Sequence, residues 1–423
     1  MANLIHKIKL IFGDVNLRRR IGFVAAALII FRILAVIPVP GIDALRLEEF
    51  FSNNQFLGLL NIFSGGGLSN LSIVMLGVAP YITASIIMQL LTMMIPKLKA
   101  LYHEEGELGR KKFIQYSRLL TVPMAFIQGF GFLTLLSRQG IIAGLSGFDF
   151  FLNLLIIVAG SMLLMWIGEL ITEFGIGNGV SFLIFAGIVA TLPQTIQQLA
   201  FSFDVSQLPL YLGFLGIALV VIWGVVVVTE AERPIPVTYA KRVRGGKMYG
   251  GVSTYLPLRV NQAGVMPIIF ALSILLFPQM IFNFLATVDN EFIQGAASLG
   301  LTLLANQWLY AGIYFVLVFL FTYFYTAVTF DPDTIAQNLQ KGGAFIPGVR
   351  PGSSTSLYVS KILTRITLVG ALFLGAVAVL PLGLNAFTGI TALTIGGTAL
   401  LIVVSVVLDV VKKIDAQVSM REY

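Results

Sequence analysis

Ten apolar runs, most of them near the length needed to cross a bilayer, follow one another through this chain. They lie at roughly 21–38, 73–95, 119–136, 150–171, 179–192, 208–229, 264–285, 308–330, 366–383 and 391–411. A helix needs about 20 apolar residues to span the hydrocarbon core. The fifth run is short and is expected to end at Pro193. With 57% hydrophobic and 11% charged residues in a chain of 423, there is more apolar surface than a soluble domain can hide. The reading is therefore an all-α, multi-pass membrane protein. Residues 1–20 are basic (Lys7, Lys9, Arg18, Arg19, Arg20) and precede the first run as in a signal peptide. No small-residue cleavage site follows, so a signal-anchor-like first helix is expected.

The basic residues orient the spans. With ten spans both termini share a side, and 24 of the 27 Lys and Arg residues fall there. Arg46 and Arg138 lie on the other side, and Arg32 lies inside the first run. Such an imbalance predicts cytoplasmic termini. Two long basic loops, 230–263 and 331–365, share that side, and 412–423 forms a short tail. Ten spans suggest two halves of five, as in folds built from inverted repeats, although no repeat is visible in the residues.

Several chemistries are excluded. The chain has no cysteine, and its two histidines, His6 and His103, are far apart. Disulfides, thiolate metal sites and cysteine nucleophiles are ruled out, and a histidine metal site is not expected. Carboxylates sit at span edges: Glu169 and Glu173 end the fourth run, Glu230 and Glu232 follow the sixth, and Asp409 lies near the end of the tenth. A proton or ion relay would need one at a span centre. There is no Ser/His pair, no central aspartate pair and no HExxH motif. The glycine clusters at 65–67 and 175–179 lack a P-loop lysine. No enzymatic activity and no cofactor are expected.

One stretch fits none of this easily. Residues 61–72 read NIFSGGGLSNLS and run directly into the second apolar run. Either they form an outer loop, or they re-enter as a short half-helix filling a cavity. Irregular backbone survives at membrane depth only inside protein or along water. In the second case Ile62, Phe63, Leu68 and Leu71 would seat against an apolar wall.

The chain resembles the SecY family of protein-conducting channels along nearly its whole length. The motifs, in order, are FRI with IPVPGID, NIFSGGGLSNLSI before GVAPYITASIIMQLL, EEGELGRKKFIQYSR, MWIGELITEFGIGNGVS, LPLRVNQAGVMPIIFA, NLQKGGAFIPGVRPG and GGTALLIVV. The resemblance implies two pseudo-symmetric five-helix halves, 21–192 and 193–411, around a central pore. It implies a waist formed by Val78, Ile82, Val180, Ile184, Ile269 and Ile402. Bulky aliphatics at a constriction expel water and so block ions. Val78 and Val180 are one methylene smaller than isoleucine.

The resemblance also implies that Asn61, Ile62, Phe63, Ser64, Gly65, Gly66, Gly67, Leu68, Ser69, Asn70, Leu71 and Ser72 form a plug half-helix outside that waist. Glycine lowers helix stability, which suits an element that must leave. A lateral gate is implied between spans two and seven, with Ser85, Gln89 and Thr92 facing Asn261, Gln262 and Ser273. Polar contacts of about 0.6–2 kcal/mol each would hold it shut without locking it. Lys241, Arg242, Arg244 and Arg350 match docking positions for the SecA motor and for the ribosome with its anionic RNA. SecE-type and SecG-type subunits, signal-bearing preproteins and membrane lipid complete the implied partners. A solute transporter would instead need a midplane carboxylate or pocket, and a structural scaffold would need no plug.

Overall fold

The structure, a computed structural model, describes residues 13–40, 64, 66–68, 70–138, 146–201, 208–239, 242–244, 247–249, 253–286, 288, 290–388 and 391–419. In chain order the first elements are α1 (Val15–Leu34), α2 (Ala79–Met94), α3 (Pro96–His103), α4 (Gly106–Arg138), α5 (Gly147–Phe174), α6 (Gly179–Phe201) and α7 (Leu208–Glu230). Four strands follow: β1 (Glu232–Tyr239), β2 (Arg242–Arg244), β3 (Lys247–Tyr249) and β4 (Ser253–Arg259). The rest comprises α8 (Met266–Leu285), α9 (Glu291–Ala305), α10 (Gln307–Thr329), α11 (Pro332–Lys341), β5 (Ala344–Phe345), α12 (Ser353–Thr388) and α13 (Thr391–Ser419).

Each of the ten apolar runs carries a helix. Among the described residues, stretches of α4, α5, α7, α10 and α12 are each long and apolar enough to cross a membrane alone. The pair α2 and α3 passes the same test together but is bent by 114°. Ile95 is extended at the break and Pro96 opens α3. The bend therefore has a local cause, because proline pushes the residue before it out of the helical region.

Three boundaries differ from expectation. The second run was expected to be helical from 73, but α2 begins at Ala79 and 73–78 are turns. Pro80 is the reason. In a helix continuing back to 73 its ring would strike the carbonyl of residue 76, so it is tolerated only in a first turn. Second, α6 does not stop at Pro193 but carries it inside and runs on to Phe201. Third, α12 begins at Ser353, so the end of the second basic loop is already helical.

Both basic loops also contain strands. β1 pairs antiparallel with β4 along its length, and with β5 at Thr238↔Phe345 and Tyr239↔Ala344. One short sheet, ordered β4-β1-β5, thus joins the two loops. Pro234 and Pro236 fall where β1 lacks its second neighbour, the edge position proline requires. Ile235 and Val237 alternate inward with Leu258, Ala344 and Ile346 onto Val359, Ile362, Leu363 and Ile366 of α12.

Helices of the first five runs meet those of the last five where α8 packs on α2 and α4 and where α13 packs on α6. The main apolar cluster runs through this seam, drawing side chains from α1, α2, α5, α6, α7, α8, α10, α12 and α13.

Candidate functional site

The six expected waist positions come from four separate places in the chain. Val78 precedes α2 and Ile82 lies on its first turn; Val180 and Ile184 are one turn apart on α6; Ile269 opens α8; Ile402 is inside α13. All six join the main cluster, with Val180 partly buried at its margin. Ile82, at 5%, is the most exposed of the other five. The same cluster also holds Ile86, Leu183, Ile188, Ile268, Leu401 and Val406, together with the aromatics Phe31, Phe270, Tyr314 and Phe321.

The described part of the glycine stretch is buried, apart from Asn70, and built of turns. Residues 61–63, 65 and 69 lie outside the described residues. Of the others, Ser64, Gly66, Gly67, Leu68, Leu71 and Ser72 are buried and Asn70 is exposed. An exposed outer loop does not describe them, and neither does a half-helix. They form successive turns, with Gly67 N–H donating to Ser64 O (3.2 Å), Leu71 N–H to Leu68 O (3.0 Å) and Ser72 N–H to Gly67 O (2.8 Å). Ser64 Oγ accepts from Leu68 N–H at 2.9 Å. Gly66 at φ +80° and Leu71 at φ +39° break any helix, since left-handed backbone costs a non-glycine residue about 1–2 kcal/mol.

The segment is held by the exit from α1. Val39 N–H donates to Leu71 O (2.9 Å), Ile73 N–H to Ile37 O (3.0 Å) and Asn70 Nδ2 to Ala35 O (3.4 Å). Pro38 and Ser72 form an isolated bridge. Leu68 and Leu71 do seat against an apolar wall, made by Ala125, Phe132, Leu133 and Leu136 of α4 and Leu154 and Ile157 of α5. Burying a leucine contributes about 2 kcal/mol. On the other side, a Cβ on Gly66 would lie 3.3 Å from Arg32 Nη1.

Sequence reasoning missed how closely α5 supports this region. A Cβ on Gly160 would stand 2.0 Å from Ile73 O, so only glycine fits. The neighbouring Ser161 Oγ donates to Gly77 O at 3.1 Å, and Asn153 Nδ2 to Pro40 O at 3.3 Å. The adjacent small residues Gly160 and Ser161 were the available signal, because small residues let membrane backbones approach.

Ser85, Gln89 and Thr92 lie on α2 and Ser273 on α8, two helices that touch, while Asn261 and Gln262 lie in the non-helical stretch before α8. Their hydrogen bonds do not cross between them. Gln89 Nε2 donates to Ser85 Oγ (3.3 Å) and Thr92 Oγ1 to Gln89 O (2.6 Å), both within α2. Asn261 Nδ2 donates to Gly264 O at 3.2 Å. Gln89 Oε1 and Asn261 Oδ1 are buried without a hydrogen-bond partner. Ser273 is buried and Gln262 half-buried. The polar link α2 does make is to α4, where Gln128 Nε2 donates to Thr83 Oγ1 at 3.3 Å.

Of the expected docking residues, Lys241 lies outside the described residues. Arg242 and Arg244 are on β2, paired with Tyr249 and Lys247 of β3. Arg350 is exposed between Gly348 (φ +81°) and Gly352 (φ +98°), and its carbonyl accepts from Thr355 Oγ1 at 2.9 Å. The β1–β5 pairing brings both loops to one sheet. Among the described residues no group of three His, Asp or Glu gathers to hold a metal.

Comparison with known proteins decides the family. The SecY family model matches residues 72–411. The chain is 42% identical to the protein translocase subunit SecY of Mycobacterium bovis, over 97% of this chain and 96% of that one. The chain belongs to the SecY family. It is also 43% identical to SecY of Synechocystis, covering 96% of this chain and 93% of that one. Among solved structures it resembles one described as a protein-conducting channel, with TM-score 0.64 and 18% identity over 95% of this chain and 93% of the other. Sec61 in a canine ribosome-channel complex gives TM-score 0.61 and 18% identity with the same coverage. SecY members are non-enzymatic channel subunits, which accords with the absence of a catalytic constellation in the sequence.

Proposed function

We propose that this protein is the central channel subunit of a bacterial preprotein translocase. It passes unfolded secretory proteins across the cytoplasmic membrane and releases hydrophobic segments sideways into lipid. The observation that carries the reading is that Val78, Ile82, Ile184, Ile269 and Ile402 fall in one buried apolar cluster with Val180 packed against it, where the resemblance puts the constriction. Such a constriction excludes ions and can deform around a chain without binding it. The halves 21–192 and 193–411 would part along the α2–α8 seam. Residues 61–72, whose described part is held by turns and by the α1 exit, would be the displaceable seal. Unpartnered Gln89 Oε1 on α2 and Asn261 Oδ1 just before α8 favour a seam that opens, because buried unpaired acceptors cost about 1–3 kcal/mol each.

Both termini would face the cytoplasm. A SecE-type subunit would clamp the halves and a SecG-type subunit would join them. SecA or the ribosome would dock on the joined loops through Lys241, Arg242, Arg244 and Arg350. The test is transport of a signal-bearing preprotein into vesicles holding the protein, its SecE-type partner and SecA with ATP. Protease-protected preprotein is expected. Protection no greater than in protein-free vesicles would overturn the reading. Arg350→Glu should cut protection while leaving the protein's abundance unchanged; unimpaired transport would remove Arg350 from the docking site.

A further inference from the structure

Helix α9, between α8 and α10, is apolar but only 15 residues long. At 1.5 Å per residue it reaches about 22 Å, short of the roughly 30 Å core. Its surface divides into three faces. Ala297 is buried and Gly300 approaches Phe282 of α8, where a Cβ would stand 2.8 Å from the ring. Gln294, Ser298 and Thr302 form an exposed polar face. The third face is apolar and uncovered: Phe292 is 85% exposed, Leu299 67% and Leu303 58%. These three are spaced i, i+7 and i+11, within about 40° of one another at 3.6 residues per turn.

We infer that α9 lies in the outer membrane interface with Phe292, Leu299 and Leu303 inserted into lipid. Three observations favour lipid as the occupant. Only Asn306 separates α9 from α10, whose exposed apolar side chains begin at Trp308 (64%) and continue through Ile313, Val316 and Leu320, so the apolar face is continuous with a lipid-facing span. Trp308 at that junction suits the headgroup level. The 286–306 segment has no Lys or Arg, and its two charges, Asp289 and Glu291, precede or open α9, so the rest of the helix carries nothing that selects a charged partner. An interfacial helix of this kind buries its apolar face about 5–10 Å into the headgroup–acyl boundary.

The chain has no cysteine, so single cysteines can be labelled cleanly. Phe292→Cys, Leu299→Cys, Leu303→Cys, Ser298→Cys and Thr302→Cys would each carry an environment-sensitive fluorophore in the full chain. The chain would be reconstituted in phosphatidylethanolamine–phosphatidylglycerol vesicles. All five positions are exposed, so folding should survive, and retained monodispersity checks it. Labels at 292, 299 and 303 should emit at shorter wavelength and lose intensity with doxyl-labelled lipid. Labels at 298 and 302 should respond to aqueous iodide instead. Iodide quenching at 299 and 303 would overturn the inference. So would shielding from both quenchers, which would mean a protein partner covers the face.

Discussion

Two parts of the molecule interrupt its helices with non-helical backbone, and they satisfy that backbone in opposite ways. The described residues of 64–78, buried apart from Asn70 and Ile73, lie among α1, α4 and α5, where their N–H and C=O groups find turns, the α1 exit and side chains such as Ser161. β1 and β4 are paired strands with an exposed face and a small apolar underside on α12. The first depends on glycine and close backbone approach, the second on alternating side chains and water. Buried irregular backbone tolerates almost no added volume, whereas an exposed sheet can lose a side chain locally.

The comparison can be broken at several points. Gly160→Leu should have the largest effect, because its Cβ would collide with Ile73 O. A loss of about 3 kcal/mol or more is expected, read as a steep fall in Tm or failure to recover monodisperse protein. An unchanged Tm would mean that α5 does not press on the segment. Leu258→Ala, at a fully buried strand position, should cost about 2–4 kcal/mol but only locally. Amide exchange should quicken in β1 and β4 while the 71–79 amides stay protected; faster exchange in both would show that the two regions are not independent. Gly66→Ala, at φ +80°, should lower stability by about 1 kcal/mol, a modest Tm shift. Glu169→Gln removes the 2.7 Å pair with Arg118, whose side chain is 46% exposed. It should change stability by less than about 1 kcal/mol and abolish the salt dependence that the pair contributes.

Much of this was legible in the sequence, for physical reasons that also mark where legibility stops. Lipid demands long apolar runs, so all ten helices could be read from hydropathy. Their ends could not, because single prolines decide them by context: Pro80 delays α2, while Pro193 is absorbed into α6. The burial of Leu68 and Leu71 belonged to one of two readings that the residues left open, since a glycine-rich stretch beside a membrane helix suits an outer loop as well as a buried segment. Its turn geometry belonged to neither, since it depends on bonds to residues 35–39. The β1–β4 pairing sat behind two prolines that argue against a strand until the missing neighbour is seen. The hydrogen bonds that Gln89 and Thr92 make within α2 were not foreseen, because i, i+4 spacing allows a side chain either choice.

The central claim is that a buried, turn-built segment seals a water-excluding pore. Ion conductance tests it most directly. The protein and its SecE-type partner would be reconstituted in planar bilayers, with and without residues 61–72. A silent intact protein and a deletion that conducts ions are the predicted result. Silence in both would contradict the account and leave the glycine stretch as packing alone.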